Sequence, residues 1–331
     1  MMRASECYSE KELLNLIRRR LPRDRWPNRA RVKDTTDFFR VDYDDIVVLN
    51  SVPYLIRNNE REGRFGLDDE PKFWVKRAIN LLTGETNVLK WVFKEQFSAQ
   101  IGKLVFECVR SPQKEARILE LVRGRDDFMQ GTTVPDSAGN PLRILGYIHG
   151  MTMSQITLSL GRDHEDFFHH FYPALLDEFI GIVKAIQFLH ENGEKHGDIR
   201  RDHVIKDDKT GRYRWIDFDV TYRHGENRFG YDLFGLGNIL MYVTGRGDVT
   251  THQLLRDDPN TLSRLSGDDV NIVFHNRVAN LRKIYPYIPE TLNRILMHFS
   301  VGAPLYYEET RELLQDLGEA REELKPPTCW R

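Results

Sequence analysis

Cysteine is scarce in this chain. Its three, Cys7, Cys108 and Cys329, stand far apart and form no C-x-x-C pair. A disulfide framework and a thiolate zinc site are thereby excluded, and a reducing compartment fits best. Long apolar runs are also missing. No stretch approaches the roughly 20 residues that span a bilayer, and residues 1–12 lack the apolar centre of a signal peptide. A cytoplasmic protein with no membrane partner is expected. Charge of one sign is lacking too: the formal net charge is -2, so no global field favours nucleic acid. What is present is ordinary for a globular protein, with 40% hydrophobic and 30% charged residues in 331. That length suggests two domains or lobes.

The most informative stretch is His196-Gly197-Asp198-Ile199-Arg200-Arg201-Asp202-His203, followed by Trp215-Ile216-Asp217-Phe218-Asp219. Before it runs a helical pattern, Phe179, Ile182, Val183, Ile186 and Leu189, which ends at Gly193. Between its two parts lies a turn, Asp207-Asp208-Lys209-Thr210-Gly211. Asp198 and Asp217 are thus placed on loops at either end of a hairpin. The geometry suits one acid orienting a nucleophile and the other holding a metal.

These residues resemble the catalytic core of the protein-kinase-like superfamily, where the first loop reads H-R-D-L-x-x-x-N and the second D-F-G. Gly197 replaces the Arg, as in the aminoglycoside-phosphotransferase branch; His203 replaces the Asn, and Asp219 the last Gly. The resemblance implies that Asp198 orients the attacking hydroxyl, that Arg200 neutralises the transferring phosphoryl, and that Asp217 holds the metal. It places His203 at the second metal position, where an imidazole suits Mn²⁺ better than Mg²⁺. Asp202 or Asp219 is an alternative source of oxygen there, and a purely structural His203 is the other reading. Asp232, in Tyr231-Asp232-Leu233-Phe234-Gly235, matches the residue that braces the catalytic loop; a plain helix cap is the bland reading.

Upstream, Val75-Lys76-Arg77-Ala78, a Thr83-Gly84-Glu85 turn and Val88-Leu89-Lys90 read as strand, turn, strand. They look like the second and third strands of a kinase small lobe, with Lys90 as the nucleotide-phosphate lysine; Lys76 and Arg110 are its rivals. A hairpin is expected over residues 93–109. A helix opened by Ser111-Pro112 should carry Glu115 to pair with Lys90; Glu120 is the rival. Leu142 to Ile148 is a strand, and Tyr147, Ile148 and His149 stand where a hinge would bind adenine. Glu60 to Gly66 is the only candidate for a phosphate-covering glycine loop, and a hairpin turn reads better.

Residues 1–46 read as an extension opened by a Ser9/Glu12 capping box, packed on the domain or frayed. His164, His169 and His170 match no metal motif and are expected on a helix surface. The expected fold is α+β and two-lobed. A small antiparallel β-sheet lobe with a C-helix (47–149) is followed by a larger, mainly helical lobe (150–325) and a tail (326–331). ATP with Mg²⁺ or Mn²⁺ is the implied cofactor set. The implied function is transfer of the γ-phosphoryl to a hydroxyl, of a protein Ser/Thr or a small molecule, by an atypical bacterial or archaeal kinase-like enzyme. Only fifteen positions separate Asp217 from Asp232, and no A-P-E follows. The peptide-docking segment of eukaryotic protein kinases is therefore not expected. A pseudokinase scaffold and a nucleotidyltransferase are the alternatives.

Overall fold

The computed structural model describes residues 7–62, 70–225 and 227–324. The glycines of the candidate phosphate loop, Gly63 and Gly66, and the Pro326-Pro327 tail lie outside the described residues. In chain order the first elements are α1 (Glu10–Arg20), β1 (Arg31–Val32), β2 (Asp45–Leu49), β3 (Val52–Glu62), β4 (Glu70–Asn80) and β5 (Thr86–Lys90). Next come β6 (Gln96–Ile101), β7 (Leu104–Arg110), α2 (Pro112–Leu121), β8 (Gly131–Pro135), β9 (Pro141–Gly146), β10 (Gly150–Thr152), α3 (Met153–Ser159) and α4 (His164–His170). Then follow α5 (Tyr172–Glu191), β11 (Val204–Asp207), β12 (Tyr213–Trp215), β13 (Val220–Arg223) and α6 (Gly230–Thr244). The last are α7 (Thr251–Asp257), α8 (Pro259–Leu262), α9 (Glu290–Met297) and α10 (Thr310–Glu323). The chain is a mixed α+β protein in two compact units.

The first unit comprises Met1–Lys94, Pro112–Arg125 and Met129–Ile148. Its sheet has the order β1-β2-β3-β4-β5-β9-β8, antiparallel except where β1 runs parallel to β2. Side chains alternate between faces along each strand, and the two faces are covered differently. Ile46 and Leu55, with Leu81, meet Leu13 and Ile17 of α1. That helix starts with the expected Ser9/Glu12 capping box. Its two fully buried side chains lie four residues apart, on one helical face. Each contributes about 1.5–3 kcal/mol through burial. On the other face Val47, Ile56, Ala78, Leu89 and Trp91 pack with Phe38 and Val41. The N-terminal segment is therefore packed on the sheet, on both faces.

The second unit comprises Glu95–Ser111, Asp126–Phe128 and His149–Arg331. Helix α5 buries Phe179, Ile182, Val183, Ile186 and Leu189, the stripe visible in the sequence. Helix α6 is apolar nearly all round and correspondingly enclosed. Gly235 lets the loop after α5 come close to it: a Cβ there would lie 2.6 Å from the Cβ of Ile199. The region after residue 150 is mainly helical, as expected; it also contributes the sheet β10-β11-β12, and its β13 joins β7 and β6 in a second three-stranded sheet. The hairpin expected at 93–109 forms as β6–β7, and its partner strand is β13, just beyond Asp217.

Candidate functional site

In the first unit, Lys90 ends β5 and pairs across to Val75 on one side and Arg143 on the other. Two cations directly opposite each other repel unless an anion is shared. Glu115, from the first turn of α2, supplies it. Lys90 Nζ lies 3.0 Å from Glu115 Oε1, and Arg143 Nε donates to Oε2 at 2.9 Å. All three side chains are buried. The expected Lys90–Glu115 ion pair forms, and Glu120 is instead exposed and paired with Arg123. Arg143 was not anticipated; the signal was a lone cation inside the apolar run Leu142 to Ile148. Lys76, the rival anchor, pairs with Leu89 on the opposite face and donates to Asn59 Oδ1 at 2.7 Å. Ala78 also lies on that opposite face, so it takes no part in the surroundings of Lys90.

In the second unit, Asp232 is fully buried near the start of α6. Its carboxylate accepts the backbone N–H of His196 at 2.7 Å and of Gly197 at 2.8 Å. His190 Nε2 lies 3.0 Å from the same group. This is the bracing role expected for Asp232, not a helix cap. Gly197 has φ of +87°, a conformation that glycine adopts without the Cβ clash of other residues. The glycine in place of Arg thus follows from backbone geometry.

The hairpin β11–β12 explains how His203 and Asp217 meet. His203 immediately precedes β11, Asp217 lies two residues beyond β12, and Val204 pairs with Trp215. Ile216 N–H donates to His203 O at 3.0 Å, closing the open end. His203 Nδ1 is 2.8 Å from the carbonyl oxygen of Asp198. A carbonyl only accepts, so Nδ1 carries a proton, and in the neutral imidazole Nε2 presents a lone pair. That Nε2 sits 3.7 Å from Asp217 Oδ2. Two acceptors facing each other at this distance are stabilised by a cation between them. Ligand atoms of Asp198, His203 and Asp217 all lie within 4.8 Å of one another, the one such trio among the described residues. Donors each about 2.1 Å from a metal stand roughly 3–4 Å apart, so the 3.7 Å gap between His203 Nε2 and Asp217 Oδ2 is one that a divalent ion could bridge. The backbone carbonyl that orients His203 is the kind of outer partner metal-binding histidines use. Asp217 has φ of +63°, which Asp tolerates better than most residues.

The two acids proposed as substitutes for the missing Asn are otherwise committed. Asp219 is buried, and both its oxygens accept from Arg110 Nη1, at 2.7 and 2.9 Å. Arg110, the other rival anchor, is thereby tied to Asp219. Asp202 is bridged at two points by Arg200, at 3.1 and 2.7 Å. Arg200 therefore stands beside the loop with its guanidinium anchored.

Among the expected hinge residues, Tyr147 N–H donates to Thr86 O at 3.3 Å, and Arg77 covers its ring at 4.3 Å. His149 O accepts from Asp208 N–H at 2.8 Å. Ile148 follows Tyr147 at the end of the first unit. His169 and His170 are exposed as expected, but His164 is not a surface residue. It stacks on Tyr285 at 3.5 Å, and its Nε2 donates to Thr244 O at 2.8 Å.

Among solved structures, the chain is similar to the crystal structure of the kinase domain of PknI from Mycobacterium tuberculosis. The two share 13% identity, with 81% of this chain and 96% of that chain covered, at a TM-score of 0.45. No protein-family model matches the chain, and none of the curated proteins does. No helix among the described residues is long and apolar enough to cross a membrane. The element order found here, with the buried Lys90–Glu115 pair, the H-x-D loop braced from α6 and the Asp-Phe-Asp turn after a β-hairpin, agrees with the α+β arrangement expected from the sequence resemblance.

Proposed function

We propose that this protein is a metal-dependent phosphotransferase that moves the γ-phosphoryl of ATP to a hydroxyl, of a protein Ser/Thr or of a small molecule. The observation that carries this reading is the convergence of Asp198, His203 and Asp217 on one small volume. Asp198 orients the acceptor hydroxyl and takes its proton on a carboxylate oxygen. Lys90, aimed by Glu115, binds nucleotide phosphate, and backbone groups of Tyr147, Ile148 and His149 meet the adenine. Asp217 and His203 would hold Mg²⁺ or Mn²⁺, which supplies neutralisation of phosphate charge. Arg200, fixed by Asp202, offers a guanidinium to the developing charge on the phosphoryl oxygens.

Incubation of the pure protein with γ-labelled ATP, Mn²⁺ or Mg²⁺ and cell extract tests the reading. Labelled acceptor and ADP are expected, both lost in Asp198→Asn. Pyrophosphate as product would establish nucleotidyl transfer instead. A second reading, a nucleotide-binding scaffold without turnover, is favoured by one observation only: an imidazole stands at the family's amide position. Tight ATP binding with no product under either metal would select it.

A further inference from the structure

The hairpin β6–β7 lies between β5 and α2 in sequence, yet its outer strand pairs with β13, the segment directly after Asp217-Phe218-Asp219. Arg110 closes β7 and stands opposite Val220. Its side chain is buried to 2% exposure and Asp219 to 1%, and the two form a two-point bridge. The other side of the guanidinium is held by Glu95, whose Oε2 lies 3.2 Å from Nε. The backbone joins in: Ser111 N–H donates to Asp219 O at 2.6 Å. Phe218 is buried between these contacts and the ring edges of Phe128 and His196. The residue immediately before, Asp217, holds a left-handed backbone conformation. Such a conformation costs of order 1–3 kcal/mol and persists only where neighbours enforce it.

We propose that Arg110 is a positioning residue of the metal site: by clamping Asp219 it fixes the turn that presents the Asp217 carboxylate. The inference rests on the metal-binding reading of Asp217. It also makes a prediction of sign. Burial disfavours the Arg110 charge, and the carboxylates of Asp219, Asp217 and Asp198 together more than restore it. If Arg110 acted on the site through charge alone, removing it would tighten binding of a cation. If it acts by position, removing it weakens binding.

The experiment uses the whole chain, stripped of metal, with Mn²⁺ alone as probe. Free Mn²⁺ is read by electron paramagnetic resonance, and hydrogen exchange is followed over residues 215–223. Wild type should bind Mn²⁺, and Asp217→Asn should lose it. Arg110→Met should weaken Mn²⁺ binding about ten- to a hundredfold, the range for residues that orient a ligand. It should also speed exchange at 217–220 before any metal is added. Arg110→Lys, which keeps the charge but cannot hold Asp219 and Glu95 with separate nitrogens, should fall between. Because Arg110→Met leaves a buried carboxylate, the double variant Arg110→Met/Asp219→Leu serves as a folded control with no change in net charge. It should show the same loss of Mn²⁺ affinity. Unchanged or tighter Mn²⁺ binding in either variant, with unchanged exchange, overturns the proposal. If wild type and Asp217→Asn bind Mn²⁺ alike, the metal reading itself fails. The clamp is then judged on exchange alone, and unchanged exchange rejects it too.

Discussion

Around Glu115, two cations share one carboxylate; around His203, two carboxylates flank one imidazole. The first arrangement leaves one positive charge over, and both oxygens of its acid are occupied by protein donors at 2.9–3.0 Å. The second leaves two negative charges over when the imidazole is neutral, with acceptor facing acceptor at 3.7 Å. Burial alone does not distinguish them, since Lys90, Glu115, Arg143 and His203 are all buried. The difference lies in completeness. In the first cluster protein donors take both oxygens of the shared acid and so aim its cations, whereas in the second the acceptors converge, an arrangement that a bound cation would neutralise.

Mutation should separate the two. Glu115→Gln strips the shared anion from two buried cations and should cost about 3–5 kcal/mol, read as a drop in urea midpoint. Asp217→Asn removes one of two mutually repelling acceptors, so its stability should stay within about 1 kcal/mol of wild type. Equal losses from both changes would break the contrast.

The acid response is sharpened by His164, which lies outside both clusters. Burial pushes its imidazole down to about 4, with the Thr244 carbonyl opposing. The unfolded chain takes up a proton near pH 6.5 that the folded chain refuses, so stability is full above that value. It falls as pH drops from about 6.5 towards 4, by up to ~3 kcal/mol. In His164→Gln, the difference between melting temperatures at pH 7 and pH 4.5 should shrink. An unchanged difference would move the acid sensitivity to other groups.

Metal affinity should then respond at the acidic cluster and not at the surface of the first unit. Asp217→Asn should weaken Mn²⁺ binding by more than about a hundredfold, beyond the range for outer residues, while Glu120→Gln, exposed in the first unit, should leave it unchanged. Calorimetric titration reads both. The smallest effect is expected for His203→Asn. Replacing nitrogen by an amide oxygen should shift the Mn²⁺/Mg²⁺ affinity ratio towards Mg²⁺ by about tenfold. A ratio that does not move would make His203 a structural residue.

Much of this was legible because it depends on short-range pattern. The β11–β12 hairpin follows from a turn between two strand signals, and it alone brings His203 to Asp217. Helix α2 follows from Ser111-Pro112 and its apolar stripe, and it alone aims Glu115. What could not be read depends on which strands become neighbours. Arg143 joins Lys90 only because β5 pairs with β9. Asp219 meets Arg110 only because β7 pairs with β13, so Asp219 looked available for a metal when it was not. His164 looked like a surface residue because Tyr285, which stacks on it, comes from far down the chain.

The pairing of β7 with β13 also bears on how the protein folds. Strands β6 and β7 form a local hairpin, but their third partner is about 110 residues further along. Closing a loop of that length is slow relative to local hairpin and helix formation. Both compact units are built from non-contiguous pieces, so neither is complete when the ribosome first releases its N-terminal part. During synthesis β7 waits as an unpaired edge, with Val105 and Val109 on its outer side. The turn bearing Asp217 is locked only when β13 arrives. Refolding should therefore recover helical circular dichroism before it recovers Mn²⁺ binding.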